Sequence, residues 1–275
     1  MRKISAENEE TRRIIEEEER EIQARIKPIY ITISHANSPV TYHIISQILN
    51  GGITGFNRDI KIKLHEAANS PELEGVRMEI EDLASGSLRN VEIETDQEKA
   101  FRNADLIILL DELENLNLES HELKHPILAS YYNPYLKLAH LIDTYAKDDC
   151  KILISPHESH SQIFALVSIF VKNLNRISKE NVLGNSMYDE LIVKSIIAKR
   201  LHLSSANIKD VVLIGQSIKE SHYIDIAQGR VTGYDGAIWA RPPTHWRNLV
   251  EMLADVDWMQ KEFPLEVVLR GEFAK

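Results

Sequence analysis

Several things are scarce or missing in this 275-residue sequence, and each absence removes a class of explanation. There is a single cysteine, Cys150, so no internal disulfide forms; no Cys/His cluster has zinc-ligand spacing, and no structural metal is implied. No basic run offsets the 42 acidic residues set against 32 basic ones, and the formal net charge of −10 argues against a nucleic acid or an anionic membrane as the main partner. Long apolar runs are also missing. The longest, residues 163–171, is too short to span a bilayer, and Met1-Arg2-Lys3 leads into charged sequence instead of an apolar signal core. These absences predict a soluble, intracellular chain.

What is present is a foldable core: 43% of the residues are hydrophobic, and the length suits two domains. The most informative stretch is residues 30–55, YITISHANSPVTYHIISQILNGGITG. Tyr30, Ile31, Thr32 and Ile33 favour a strand, and Tyr42, Ile44, Ile45, Ile48 and Leu49 recur at helical spacing. A strand, a tight turn and a helix in succession form the opening βα unit of a dinucleotide-binding domain. The turn between them, Ser34-His35-Ala36-Asn37-Ser38-Pro39, contains no glycine, although a nucleotide pyrophosphate there needs bare backbone.

Further along, residues 8–25 read as a charged helix ended by Pro28, with a narrow stripe of Ile14, Ile15, Ile22 and Ile26. Residues 59–64 alternate as a second strand, with His65 and Glu66 after it; 73–83 is helical, 91–93 a short strand, and 97–101 a short helix. Residues 106–110 form a continuous apolar run, as a strand buried on both faces requires. A helix is expected over 134–147, a strand over 151–155, helices over 162–173 and 188–201, and a strand over 211–215. The tail from 246 to 270 reads as helix in at least two pieces, anchored by Trp258 and Phe263. This rhythm predicts an α/β protein with a doubly wound parallel sheet.

The strings EGVRMEIED (74–82), Ala100-Phe101 followed by Asp105 and its apolar strand, IKDVVLIG (208–215) and WMQKEF (258–263) together resemble the malate dehydrogenases of the lactate/malate dehydrogenase superfamily, the cytosolic type in particular. The charged helix before the first strand and YDGAIW (234–239) look most like the divergent 1B branch. The resemblance runs from about residue 29 to 270 and implies a charged N-terminal helix (1–27), a Rossmann-like nucleotide-binding domain (28–155) and a substrate-type domain (156–275). It also implies NAD as cofactor, a homodimer and a cytoplasmic, ciliary setting. Family members continue beyond the segment matching 265–271, so the substrate domain is expected to be short and to offer apolar surface to a protein partner, as is the N-terminal helix.

The residues that should run the family's chemistry differ. His35 and Ser38 stand at the cofactor glycines, where a Cβ crowds a phosphate or resists positive φ. His65 stands at the ribose-binding acid, and Glu66 after it should point to the other face of the strand. Ser217 falls at the catalytic histidine, Asp189 matches the acid that orients it, and Ile192 falls at a substrate-binding arginine. No arginine occurs between Arg102 and Arg176, where the mobile loop should carry two. His157, His160 and His222 are candidate substitutes for the base, and Lys124 and His125 offer charge without a guanidinium fork. A missing general base costs about 10²- to 10⁴-fold and each lost charge-assisted contact about 1.5–3 kcal/mol. The expectation is therefore a degenerate relative acting as a scaffold or interaction subunit. An active NAD-dependent enzyme with relocated residues and a nucleotide-binding sensor are the alternatives.

Overall fold

The computed structural model describes residues 15, 27–55, 58–110, 124–155, 163–215, 222–232 and 247–273, a few of them by backbone alone. The expected helix over 8–25 lies outside the described residues except for Ile15. Two compact units emerge, one drawn from Met1–His157 and Ile169–Leu183, the other from Glu158–Ser168 and Gly184–Lys275. The division is interleaved, unlike the single cut expected after residue 155, because a late strand returns to the first unit's sheet.

That sheet contains β1 (Ile29–Ser34), β2 (Ile60–His65), β3 (Leu88–Glu94), β4 (Leu106–Leu109), β5 (Lys151–Ile154) and β6 (Val182–Gly184), in the spatial order β3-β2-β1-β4-β5-β6. β1 pairs in parallel with both β2 and β4, so the strand order reverses between β1 and β4. In sheets of this kind ligands bind beyond the strands' carboxyl ends at such a reversal. The expected doubly wound α/β fold is present.

Successive side chains of β1 face opposite ways. Ile31 and Ile33 enter a core with Ile45 and Ile48 of α1 (Val40–Leu49), Ile60, Ile62 and Leu64 of β2, and Leu73, Val76 and Ile80 of α2 (Pro71–Asp82). Each fully buried isoleucine or leucine contributes about 1.5–3 kcal/mol. On the opposite face the Thr32 hydroxyl donates to the Ala100 carbonyl (2.7 Å) of α3 (Gln97–Phe101). Ser70 caps α2 by accepting from Leu73 N (3.2 Å), one residue ahead of Pro71, which suits a first helical position.

The expectation of a helix starting at Pro134 needs correction: α4 runs Lys124–Tyr145 with Pro134 inside it. Proline favours a helix start and costs about 3 kcal/mol within one. Here Tyr135, Leu138, Ala139 and Ile142 bury one face at helical spacing beyond it. Near its end Asp143 accepts from three successive amides, Asn175 N (3.1 Å), Arg176 N (2.9 Å) and Ile177 N (3.0 Å), just after α5 (Ile163–Asn173). Between α4 and β5, Cys150 is fully buried, and burial pushes its thiol up to about 12.

The second unit centres on α6 (Met187–Leu201), whose Ile192, Val193, Ile196 and Ile197 are buried. β7 (Ile208–Lys209), β10 (Arg230–Val231) and β11 (Arg247–Asn248) form one antiparallel sheet, and β8 (Val212–Gly215) pairs with β9 (His222–Asp225). After α7 (Leu249–Leu253), a π-helical turn over Trp258–Glu262 leads into α8 (Phe263–Phe273). Trp258 and Phe263 are the expected buried anchors, with ring centroids 5.0 Å apart and Arg200 over the indole.

Replacing Asp143 by alanine should lower stability by about 1–2 kcal/mol, because three amides, the one at Ile177 partly buried, lose a charged acceptor. Burial works against that charge, but the amides of Ile177, Arg176 and Asn175 outweigh it and hold the carboxyl below its usual range. A depressed folded pKa stabilises fully above the ordinary aspartate value of about 3.9 and loses that contribution as pH falls through the folded value. Urea unfolding of both proteins across pH should show the difference shrinking only on the acid side.

Candidate functional site

The carboxyl end of β1 lies at the strand-order reversal, and the turn that follows holds the candidate site. Ser34 is level with His65 in the β1–β2 register, and Ala36 N donates to the His65 carbonyl (3.1 Å), which clips the turn against the end of β2. His35 takes φ 59°, a left-handed conformation that costs a non-glycine residue about 1–2 kcal/mol. The expected resistance to positive φ is thus overcome: the turn keeps a glycine-like backbone while carrying an imidazole, a residue type relatively common in this region.

The turn's donors are committed within the chain. Ser38 N donates to the His35 carbonyl (3.1 Å), Thr41 N to the Ser38 carbonyl (2.9 Å), and Val40 N approaches the Ser38 hydroxyl (3.4 Å). Together with Ala36, the amides of 38, 40 and 41 are thus engaged within the chain. Ala36 and Ser38 are themselves buried. The Thr41 hydroxyl, fully buried in the first turn of α1, has no hydrogen-bond partner among the described residues.

Glu66 joins the end of β2 to this turn. Ala67 N donates to its Oε1 (3.2 Å), and its shielded Oε2 faces His35 Nδ1 at 3.4 Å, longer than a strong charge-assisted bond. The side chain is 18% exposed against 37% for His35. The facing imidazole of His35 holds the carboxyl below its usual range; burial opposes this, and the nearby amides of Ala67 and Asn37 support it. His65 faces the other way, 4% exposed, with Nδ1 2.7 Å from the Glu94 carbonyl and its ring edge-on to Phe101. Since a carbonyl only accepts, Nδ1 is the protonated nitrogen.

A dinucleotide fits this arrangement poorly. Its pyrophosphate needs free amides and closely approachable backbone, whereas this turn offers engaged amides, two buried Cβ atoms and a carboxylate. His65, which the resemblance sets at the ribose-binding position, is buried.

In the second unit, Asp189 lies in the first turn of α6 beside Glu190, where the helix dipole favours negative charge. Glu190 pairs with Lys194 one turn on. Ile192 is 7% exposed and belongs to the unit's apolar core. Ser217, His157, His160 and the loop expected to carry two arginines lie outside the described residues. Lys124 and His125 open α4, and His222 begins β9 opposite Gly215; these are described by backbone alone. The residue that sequence reasoning undervalued is Glu66. Strand alternation correctly put it opposite His65, but only the register shows that the opposite face is the turn.

No family model matches the chain. It is 31% identical over 264 residues to "Putative malate dehydrogenase 1B" of Branchiostoma floridae, covering 96% of this chain and 49% of that protein. The chain therefore spans about half the length of that relative. Its fold resembles the malate dehydrogenase of Naegleria fowleri, with a TM-score of 0.70 at 22% identity over 90% of this chain and 70% of that one. The Trichomonas vaginalis lactate dehydrogenase in complex with NADH and oxamate gives a TM-score of 0.68 at 21% identity, over 88% and 68%.

Placing at position 192 the arginine that the resemblance implies is expected to damage the fold. Ile192→Arg puts a guanidinium into the core of the second unit and should destabilise it by about 2–4 kcal/mol. A lowered urea midpoint checks this; an unchanged midpoint would show that the position opens to solvent.

Proposed function

We propose that this malate dehydrogenase-like chain has lost the malate/oxaloacetate hydride transfer of its relatives and serves as a scaffold or interaction subunit. The observation that carries the reading is the committed turn: the amides of 36, 38, 40 and 41 are engaged within the chain, and the Glu66 carboxylate faces His35 of that turn. Ile192 supports it, since a buried aliphatic side chain cannot hold a substrate carboxylate. Dehydrogenation of a 2-hydroxy acid needs a base for the hydroxyl proton and guanidinium forks for the carboxylates. The substitutions at 192 and 217 remove one group of each kind.

The interaction role is supported by apolar side chains left on the second unit's surface. Leu265 and Leu269, one turn apart on α8, are 64% and 51% exposed, on a different face from the buried Phe263 and Val267. Met187 and Leu191 repeat the pattern on α6. Such rows suit a protein partner or a second copy of the chain, and the proposal includes a homodimer. From the resemblance alone, the proposed setting is cytoplasmic.

The purified chain should show no NAD-dependent oxidation of malate and no NADH binding by calorimetry, while sedimentation should give twice the chain mass. Detectable malate turnover would overturn the loss of chemistry, and a monomer would remove the homodimer.

A further inference from the structure

The edge of the first unit's sheet opposite the turn holds a cavity of about 820 Å³. It lies at the amino ends of the strands, where Ile29 opens β1, Asp105 precedes β4 and α4 finishes at Thr144 and Tyr145. Five basic side chains line it, Lys27, Arg58, Arg102, Lys147 and Arg176, against three aspartates. Lys147 pairs with Asp105 and Arg176 with Asp148, so those charges cancel and leave Lys27, Arg58 and Arg102 set against Asp149 alone. The Arg102 guanidinium stacks on the Tyr145 ring (5.1 Å), which positions its charge without neutralising it. On a chain of net charge −10, this local excess of positive charge draws anions.

The chain itself carries a matching anion next door. Lys27 is both a wall of the cavity and the end of the charged N-terminal stretch, in which Glu16, Glu17, Glu18, Glu19 and Glu21 fall within six residues. Pro28 disfavours continuation of a helix through Lys27, and Ile29 N donates to the Asp59 carbonyl (2.8 Å), so the chain is pinned at the cavity rim as it enters β1. From Lys27, Glu21 can lie about 9 Å away along a helix and about 20 Å away along an extended chain. A tether this short gives an effective concentration in the millimolar range, so weak attraction suffices. We propose that the acidic stretch, residues 16–26, docks on the amino-edge cavity of its own chain, with its glutamates against Arg102, Arg58 and Lys27. Residues 16–26 lie outside the described ones; Ile15, just before them, is half exposed and sets the outer limit of the docked stretch. The docking does not depend on the loss of chemistry proposed above.

Charge exchange in the whole chain tests it. Arg102→Glu and Glu18→Lys/Glu21→Lys are made separately and together, and each protein is followed by thermal melting and by the rate at which thermolysin cuts before Ile22 and Ile26. Each separate change is expected to lower the melting temperature and to speed cleavage about fivefold, the scale of two exposed ion pairs. The combination should restore both, because the signs are exchanged and the attraction returns. Additive losses in the combined protein, or equal cleavage of native and Arg102→Glu chains, would overturn the proposal. Protection that fades on dilution of the native chain would put the stretch on a second copy and overturn docking within one chain. An unprotected native stretch, with a melting temperature that inorganic phosphate raises in the native chain but not in Arg102→Gln, would make the cavity a small-anion site instead. Should Arg102→Glu fail to fold, Arg102→Gln is expected to speed cleavage in the same direction, and an unchanged rate there would also overturn the proposal.

Discussion

Parallel pairing of β1 with β2 on one side and β4 on the other is the constraint on which the first unit depends. It fixes which side chains of β1 enter the α1/α2 core and which meet α3. It also sets the height at which the chain leaves the sheet, because Ser34, His65 and Leu109 end level with one another. A slip of one residue would send Ile31 and Ile33 to the wrong face and move Glu66 off the turn. Core and site thus share one register.

Much of this was legible in the sequence because it depends on local pattern. The apolar run at 106–110 could be little else than a buried strand, and the spacing of Ile44, Ile45, Ile48 and Leu49 gave α1 its inward face. Trp258 and Phe263 were readable as anchors because large aromatics in a polar tail rarely lack a core to enter. Pro134 misled for a physical reason: its local preference for a helix start yields to the burial of Tyr135, Leu138 and Ile142 beyond it. Glu66 was misjudged because periodicity assigns a side chain to a face, whereas what lies across that face is a matter of tertiary register. The backbone at His35 is a similar case, since its left-handed form depends on partners distant in sequence.

The site's electrostatics differ in kind from those of a helix N-terminus that awaits a ligand. Such a terminus keeps donors exposed and draws anions from solution. Here the amides of 36, 38, 40 and 41 are engaged from within, and a carboxylate of the chain itself faces the turn's imidazole. A strained residue persists when its surroundings over-determine it; at His35 the clip to β2, the bond from Ser38 and the facing carboxylate supply that support. The network is local, small and reached through a handful of side chains.

The buried sulfur between α4 and β5 has a practical consequence. A thiol at Cys150 that is fully covered and ionises only near 12 is almost wholly uncharged at neutral pH, and alkylating reagents attack the thiolate. In its folded form the chain therefore behaves toward maleimides as though it had no cysteine. A dye or spin label attached through a single cysteine introduced at an exposed position such as Asn37 would report from that place alone, with no need to remove the native sulfur from the core.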